Sequence, residues 1–167
     1  PVASFAGLSL KERYDIQEWV LHNPTLLGEP LLIITSEFSG FDRTSERLDV
    51  LALSSQGQLV VVELKRSAVG TTAELQALRY AAFCSTLGLT DIAELRTDFL
   101  NRRGQSTTTD SAMSQIRDFV EHPDFEDLDD KPRIILAAED FGPELTATVM
   151  WLRSFQVDIR CVRLTPY

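Results

Sequence analysis

Residues 49 to 65, DVLALSSQGQLVVVELK, constrain the fold more than any other stretch of the chain. Two runs rich in Leu and Val flank Ser55-Gln56-Gly57, a pattern that predicts a β-hairpin rather than a helix. Both runs end in charge, Asp49 on the first and Glu63 and Lys65 on the second, where a strand core normally excludes it. A two-residue turn at Gln56-Gly57 would pair Asp49 with Leu64 and turn its carboxylate away from Glu63. A three-residue turn, Ser55-Gln56-Gly57, sets Asp49 across from Glu63 instead. Glycine in the last turn position favours this second register, because a type I turn with a G1 bulge needs positive φ there. Alternation then predicts Asp49, Glu63 and Lys65 on one face and Leu48, Val62 and Leu64 on the other.

Such a convergence has a chemical use. Carboxylates on opposed strand positions, with Cβ atoms roughly 5 Å apart, repel each other unless a cation lies between them, and hard Mg²⁺ prefers oxygen ligands. A metal held there polarises a phosphodiester and acidifies water, and Lys65 can position that water or stabilise charge growing on the phosphate. The competing reading is an interstrand salt-bridge cluster of Asp49, Glu63 and Lys65. The tripeptide pattern alone decides nothing, since acid-x-Lys recurs at Asp129-Asp130-Lys131, a segment read as an acidic loop before Pro132. The hairpin context separates the two.

The chain's 167 residues fit one domain, residues 1 to 167, with 44% apolar and 25% charged residues as in ordinary globular proteins. No run approaches the ~18 apolar residues of a membrane span. Cys84 and Cys161 are the only cysteines; both sit in apolar sequence, which favours a reducing, cytoplasmic setting. The chain begins at Pro1 and has no secretory signal core, so a trimmed chain with a further domain or a homodimer partner is left open. The net charge of −9 opposes tight, nonspecific DNA binding. That charge is concentrated: residues 110 to 130 hold eight acids against Arg117, and the rest of the chain has 17 acids to 15 bases.

A pass along the chain predicts an alternating order. Ser9 and Glu12 form a capping box before a helix that ends at Asn23-Pro24. Strands follow at 31 to 35, 48 to 54 and 58 to 65. Thr71 and Glu74 cap a second helix that ends near Gly88. Residues 90 to 131 carry weaker helical patches around GQSTTTD and read as an insertion. A strand at 133 to 138, a helix opened by Gly142-Pro143-Glu144 and a strand at 157 to 164 form a βαβ unit, whose strands should be parallel.

Asp49 with Glu63-Leu64-Lys65, and this order of elements, resemble the PD-(D/E)xK nuclease superfamily. Gln76-Ala77-Leu78-Arg79-Tyr80 resembles the QxxxY motif of its RecB-type members. The segments ERLDVLALSSQGQLVVVELKRS and PRIILAAEDFGPELTATVMWLRSFQVDIRCVRL are similar to NucS-like endonuclease domains. The resemblance spans roughly residues 9 to 164 and departs from the pattern at Leu48, where the nominal proline would stand. It implies an α/β fold with a restriction-endonuclease-like αβββαβ core, a central mixed sheet flanked by helices, and a helical insertion after the second core helix. It also implies a DNA endonuclease that uses Mg²⁺ or Mn²⁺. Asp49, Glu63 and the Leu64 carbonyl would ligate the metal, with first-helix Glu18 joining them. Lys65 and Gln76 would act on water and substrate. Arg66, Arg79 and Tyr80 would contact DNA, although Tyr80 also suits core packing with a hydroxyl handle. The alternative is a catalytically silent interaction module of the same fold acting through a protein or nucleic-acid partner, which the acidic balance favours. His22 and His122 lack zinc spacing, and neither a serine elbow nor a phosphate-binding glycine loop occurs.

Overall fold

The computed structural model describes residues 4–39, 47–69, 72–122 and 124–166, the Arg13 side chain excepted. Thr71, the expected helix cap, lies outside the described residues. The chain is an α/β fold built on a five-stranded mixed sheet: β1 (Leu31–Phe38), β2 (Leu48–Ser54), β3 (Gln58–Lys65), β4 (Asp129–Ala138) and β5 (Ile159–Arg163), adjacent in that order. β1 and β3 are antiparallel to β2 between them, and β4 and β5 run parallel to β3.

The hairpin register is the one favoured by glycine chemistry. Val50 pairs with Val62 and Leu53 with Leu59, which leaves Ser55-Gln56-Gly57 as the turn. Gly57 has φ +81°, a conformation that a Cβ strains, and its N–H closes the turn on the Ser54 carbonyl at 3.0 Å. The βαβ expectation also holds: α5 (Pro143–Ser154), with Pro143 in its first turn, crosses from β4 to the parallel β5.

Alternation along β3 divides the core. Leu59 and Val61 join Ala77, Tyr80 and Ala81 of α2 (Ala73–Cys84), together with Leu145 and Val149 of α5. Val60, Val62 and Leu64 face the other way, onto Val20 of α1 (Gln17–His22), which continues a π-helical turn at Glu12–Ile16. Helices therefore cover both faces, and each face excludes water from an unbroken apolar layer.

Several local expectations fail for identifiable reasons. Ser9 does not cap the first helix: it has φ 56°, the helix begins after Lys11, and the Lys11 N–H donates to Asp15 Oδ2 at 2.8 Å. Residues 90 to 131, expected as an insertion with weak helical patches, are helical over most of their length and pack into the core. They form α3 (Leu89–Arg102) and α4 (Thr109–Phe119), which place Ile92, Ala93 and Ile116 in one apolar layer and Phe99 and Leu100 in the other. Asp129-Asp130-Lys131 is the first part of β4 rather than a loop, with Asp129 paired to Gln58. Leu48 packs with Leu51 and Leu53 rather than on the Val62 face. The β2–β3 ladder ends at Val50 and Val62, and beside Phe38, the partner of Leu48, Glu37 turns β1 with φ 55°. Among the described residues no helix is long and apolar enough to cross a membrane.

Candidate functional site

One residue past the last paired position of the hairpin, Asp49 and Glu63 come together. The Asp49 carboxylate accepts the Leu64 N–H at 2.7 Å, which fixes that carboxylate against β3. Glu63 follows Leu59 and Val61 toward the α2 face, and its side chain is fully buried. Lys65 Nζ stands 2.7 Å from Glu63 Oε1. This contact is an ion pair without hydrogen-bond alignment, and among the described residues Glu63 Oε2 has no hydrogen-bond partner. An orphaned buried carboxylate oxygen is costly.

Burial is the main reason both carboxyls hold their protons more tightly than usual. It pushes Glu63 up to about 8, with the Asp49 charge next in effect and Lys65 opposing. Burial lifts Asp49 to about 6, helped by the charges of Glu37 and Glu12 and opposed by the Leu64 N–H and Lys65. Burial alone would depress Lys65, but the Glu63 carboxylate outweighs it and raises the ammonium pKa. One lysine is too little positive charge for two carboxylates held this way.

The donor set fits a hard divalent cation. Two carboxylates and water satisfy Mg²⁺, which is usually bound through one or two protein carboxylates, and Glu63 Oε2 is an oxygen without another partner. Among the described residues no group of three or more His, Cys, Asp or Glu is arranged to hold a metal, so any such ion would rest on this pair and on backbone or water oxygens.

The remaining expected residues are distributed unevenly. Gln76 Nε2 donates to the Tyr80 hydroxyl at 3.0 Å, and Tyr80 is buried in the apolar layer beneath α2, out of reach of substrate. Arg79 is exposed on α2. Arg66 is exposed just beyond Lys65, with Nε 3.7 Å from Glu12 Oε1. Glu18 is engaged elsewhere: Arg103 grips it through two bonds of 3.0 and 2.8 Å, and that bonding holds its carboxyl below the usual range. The acid that the N-terminal segment brings to Lys65 is Glu12, with Oε2 at 4.0 Å. Sequence reading assigned Glu12 to a cap. The missed signal was Asp15, which takes the Lys11 N–H and frees Glu12. Glu37 lies beyond the 31 to 35 run that the sequence marks as a strand, because β1 continues to Phe38.

No protein-family model, curated protein or solved structure matches this chain.

Proposed function

We propose that the chain is a metal-dependent endonuclease domain that hydrolyses DNA phosphodiesters, on a restriction-endonuclease-like αβββαβ core. The observation that carries this reading is the buried Glu63 beside Asp49, with an unpartnered Oε2 and Lys65 at 2.7 Å from Oε1. Glu74 Oε2 is also buried without a partner, but among the described residues only at Glu63 does the orphaned oxygen stand beside a second carboxyl, Asp49, where a cation would serve both.

Asp49 and Glu63 would hold Mg²⁺ or Mn²⁺, which when bound supplies Lewis-acid polarisation and a more acidic water. Asp49 is pre-oriented by the Leu64 N–H, so binding costs it little rotamer freedom. Lys65 keeps its proton under the Glu63 carboxylate and can aim its ammonium at a non-bridging phosphate oxygen, where negative charge grows in the transition state. Gln76, anchored through its amide nitrogen to Tyr80, is left with a carbonyl oxygen as acceptor for a water. Because burial lifts the Glu63 carboxyl to about 8, cation and proton compete for it, and apparent metal affinity should rise with pH up to that point.

The test is Mn²⁺ binding by electron paramagnetic resonance, together with cleavage of single-stranded, duplex and branched DNA in Mg²⁺ or Mn²⁺. Saturable Mn²⁺ binding that Asp49→Ala abolishes, accompanied by cleavage, is the expected result. No binding and no cleavage would leave the partner-binding module of the same fold as the better reading.

A further inference from the structure

Edge strand β1 and the C-terminal part of α3 enclose a cleft of about 370 Å³, lined by Ser36, Glu37, Arg47, Phe99, Arg102 and Arg103. It adjoins the acid pair, since Ser36 and Phe38 pair with Val50 and Leu48, the residues on either side of Asp49. A second cleft, of about 290 Å³, shares Phe99 and Arg103 with the first and continues along Leu31, Leu32 and Ile33. The two together make a groove along the sheet edge that ends at Ser36 and Glu37, beside the β2 segment carrying Asp49.

Three guanidinium groups gather at the end nearer Asp49, and they are not equivalent. Arg47 meets Glu37 at 3.7 Å. Arg103 is held by Glu18, its guanidinium 5.6 Å from the Phe99 ring centroid. Arg102 makes a single bond, Nη2 to Thr35 Oγ1 at 3.3 Å, and among the described residues no carboxylate pairs with it. Arg117 and Arg153 are also exposed without a carboxylate partner among the described residues; Arg102 differs from them in lining this cleft. Its remaining N–H fork matches the oxygens of a phosphate. The Arg47–Glu37 pair, at 3.7 Å and partly solvated, is weak, so a phosphodiester can displace its carboxylate, whereas the bidentate Arg103–Glu18 pair is stronger and stays closed at the groove's edge. The acids at 124 to 130 do not oppose a strand here. Asp129 pairs with Gln58 at the far end of β3 from Glu63, and Phe125 packs against Gly57.

We propose that this groove binds the sugar–phosphate backbone of a DNA strand, with Arg102 as its main phosphate contact and Arg47 and Arg103 flanking it, and leads that strand to Asp49 and Glu63. The proposal rests on the reading of that pair as a nuclease centre.

Fluorescence anisotropy with a labelled DNA single strand in EDTA, across a salt series, tests the groove without any dependence on metal or cleavage. Arg102→Ala should weaken binding several-fold for every sequence tried and lower the log–log salt slope by about 1. Arg102→Lys, which keeps the charge, should lose less than Arg102→Ala. Arg153→Ala, on α5 at the opposite edge of the sheet, should bind like the unmodified chain. No DNA binding by the unmodified chain, an Arg102→Ala chain that binds with unchanged affinity and slope, or an equal loss in Arg153→Ala would each overturn the proposal. So would inorganic phosphate displacing the strand at matched phosphate concentration, which would mark a free-anion site. If binding depends on Arg102 as expected but Mg²⁺ and Mn²⁺ never support cutting, the groove stands and the nuclease reading alone fails.

Discussion

The chain carries the acid-x-Lys tripeptide twice, on adjacent parallel strands, and the two copies behave differently. Glu63-Leu64-Lys65 ends β3 with its glutamate buried, whereas Asp129-Asp130-Lys131 opens β4 with all three residues exposed. At the first, burial and a second carboxyl raise the proton affinity of Glu63. At the second, the carboxylates are hydrated, and Asp129 spends its oxygens on the Lys131 N–H at 2.8 Å and the Gln58 amide at 3.4 Å. Water screens one group of charges and is excluded from the other. The comparison teaches that the tripeptide has chemical meaning only where the sheet withdraws it from solvent beside another acid.

Substitutions can break that contrast, and the largest effect should come from Asp49→Ala. It removes one of two carboxylates, and Mn²⁺ titration together with a DNA cleavage assay should show loss of both binding and activity, since a two-carboxylate site has little affinity to spare. Lys65→Ala should separate the two readouts: metal binding largely retained, cleavage down by about 10²-fold or more. If the cluster were only a salt bridge, neither variant would change metal binding or cleavage, and Lys65→Ala would register only as lost stability in urea titration, because the buried Glu63 loses its partner.

Gly57→Ala probes the hairpin that aligns the pair. A Cβ there would lie 2.8 Å from the Phe125 ring, at φ +81°. The expected loss is about 1–3 kcal/mol for a strained left-handed residue, readable by chemical denaturation.

Glu63→Gln should have an effect of opposite sign on stability. Because Glu63 and Asp49 are raised to about 8 and about 6, the folded state binds more protons than the unfolded chain between the ordinary carboxyl range and those values. Metal-free stability is therefore full below that range and falls as pH rises through about 6 and then about 8. Thermal melts in EDTA should show a Tm that declines from pH 5 to 8.5, with Mg²⁺ reversing the decline. Glu63→Gln should flatten the profile and melt a few degrees higher at pH 8, while losing metal binding. A Tm that climbs with pH in EDTA would contradict the burial of this pair. The smallest effect belongs to the exposed copy: Asp130→Asn with Lys131→Ala should leave activity unchanged and shift stability by no more than about 0.5 kcal/mol. A large loss of cleavage there would erase the distinction between the two tripeptides.

The sequence by itself determined the hairpin, its register and the meeting of Asp49 with Glu63. Those features follow from local rules: alternation with period two, and a glycine demanded by positive φ at Gly57. The parallel βαβ unit was legible for a similar reason, because Pro143 starts a helix between two apolar runs and the crossover allows one arrangement. Tertiary structure decided the rest. That α3 and α4 belong to the core depends on Ile92, Phe99 and Ile116 meeting a sheet formed largely by residues distant in sequence, and their own spacing does not reveal it. The exchange of Glu18 for Glu12 beside Lys65 depends on where Arg103 emerges, 85 positions from Glu18 in sequence. The proton affinity of Glu63 likewise depends on the apolar layers packed around it. Desolvation is a property of a three-dimensional neighbourhood, and no spacing of residues along the chain encodes how much water that neighbourhood excludes.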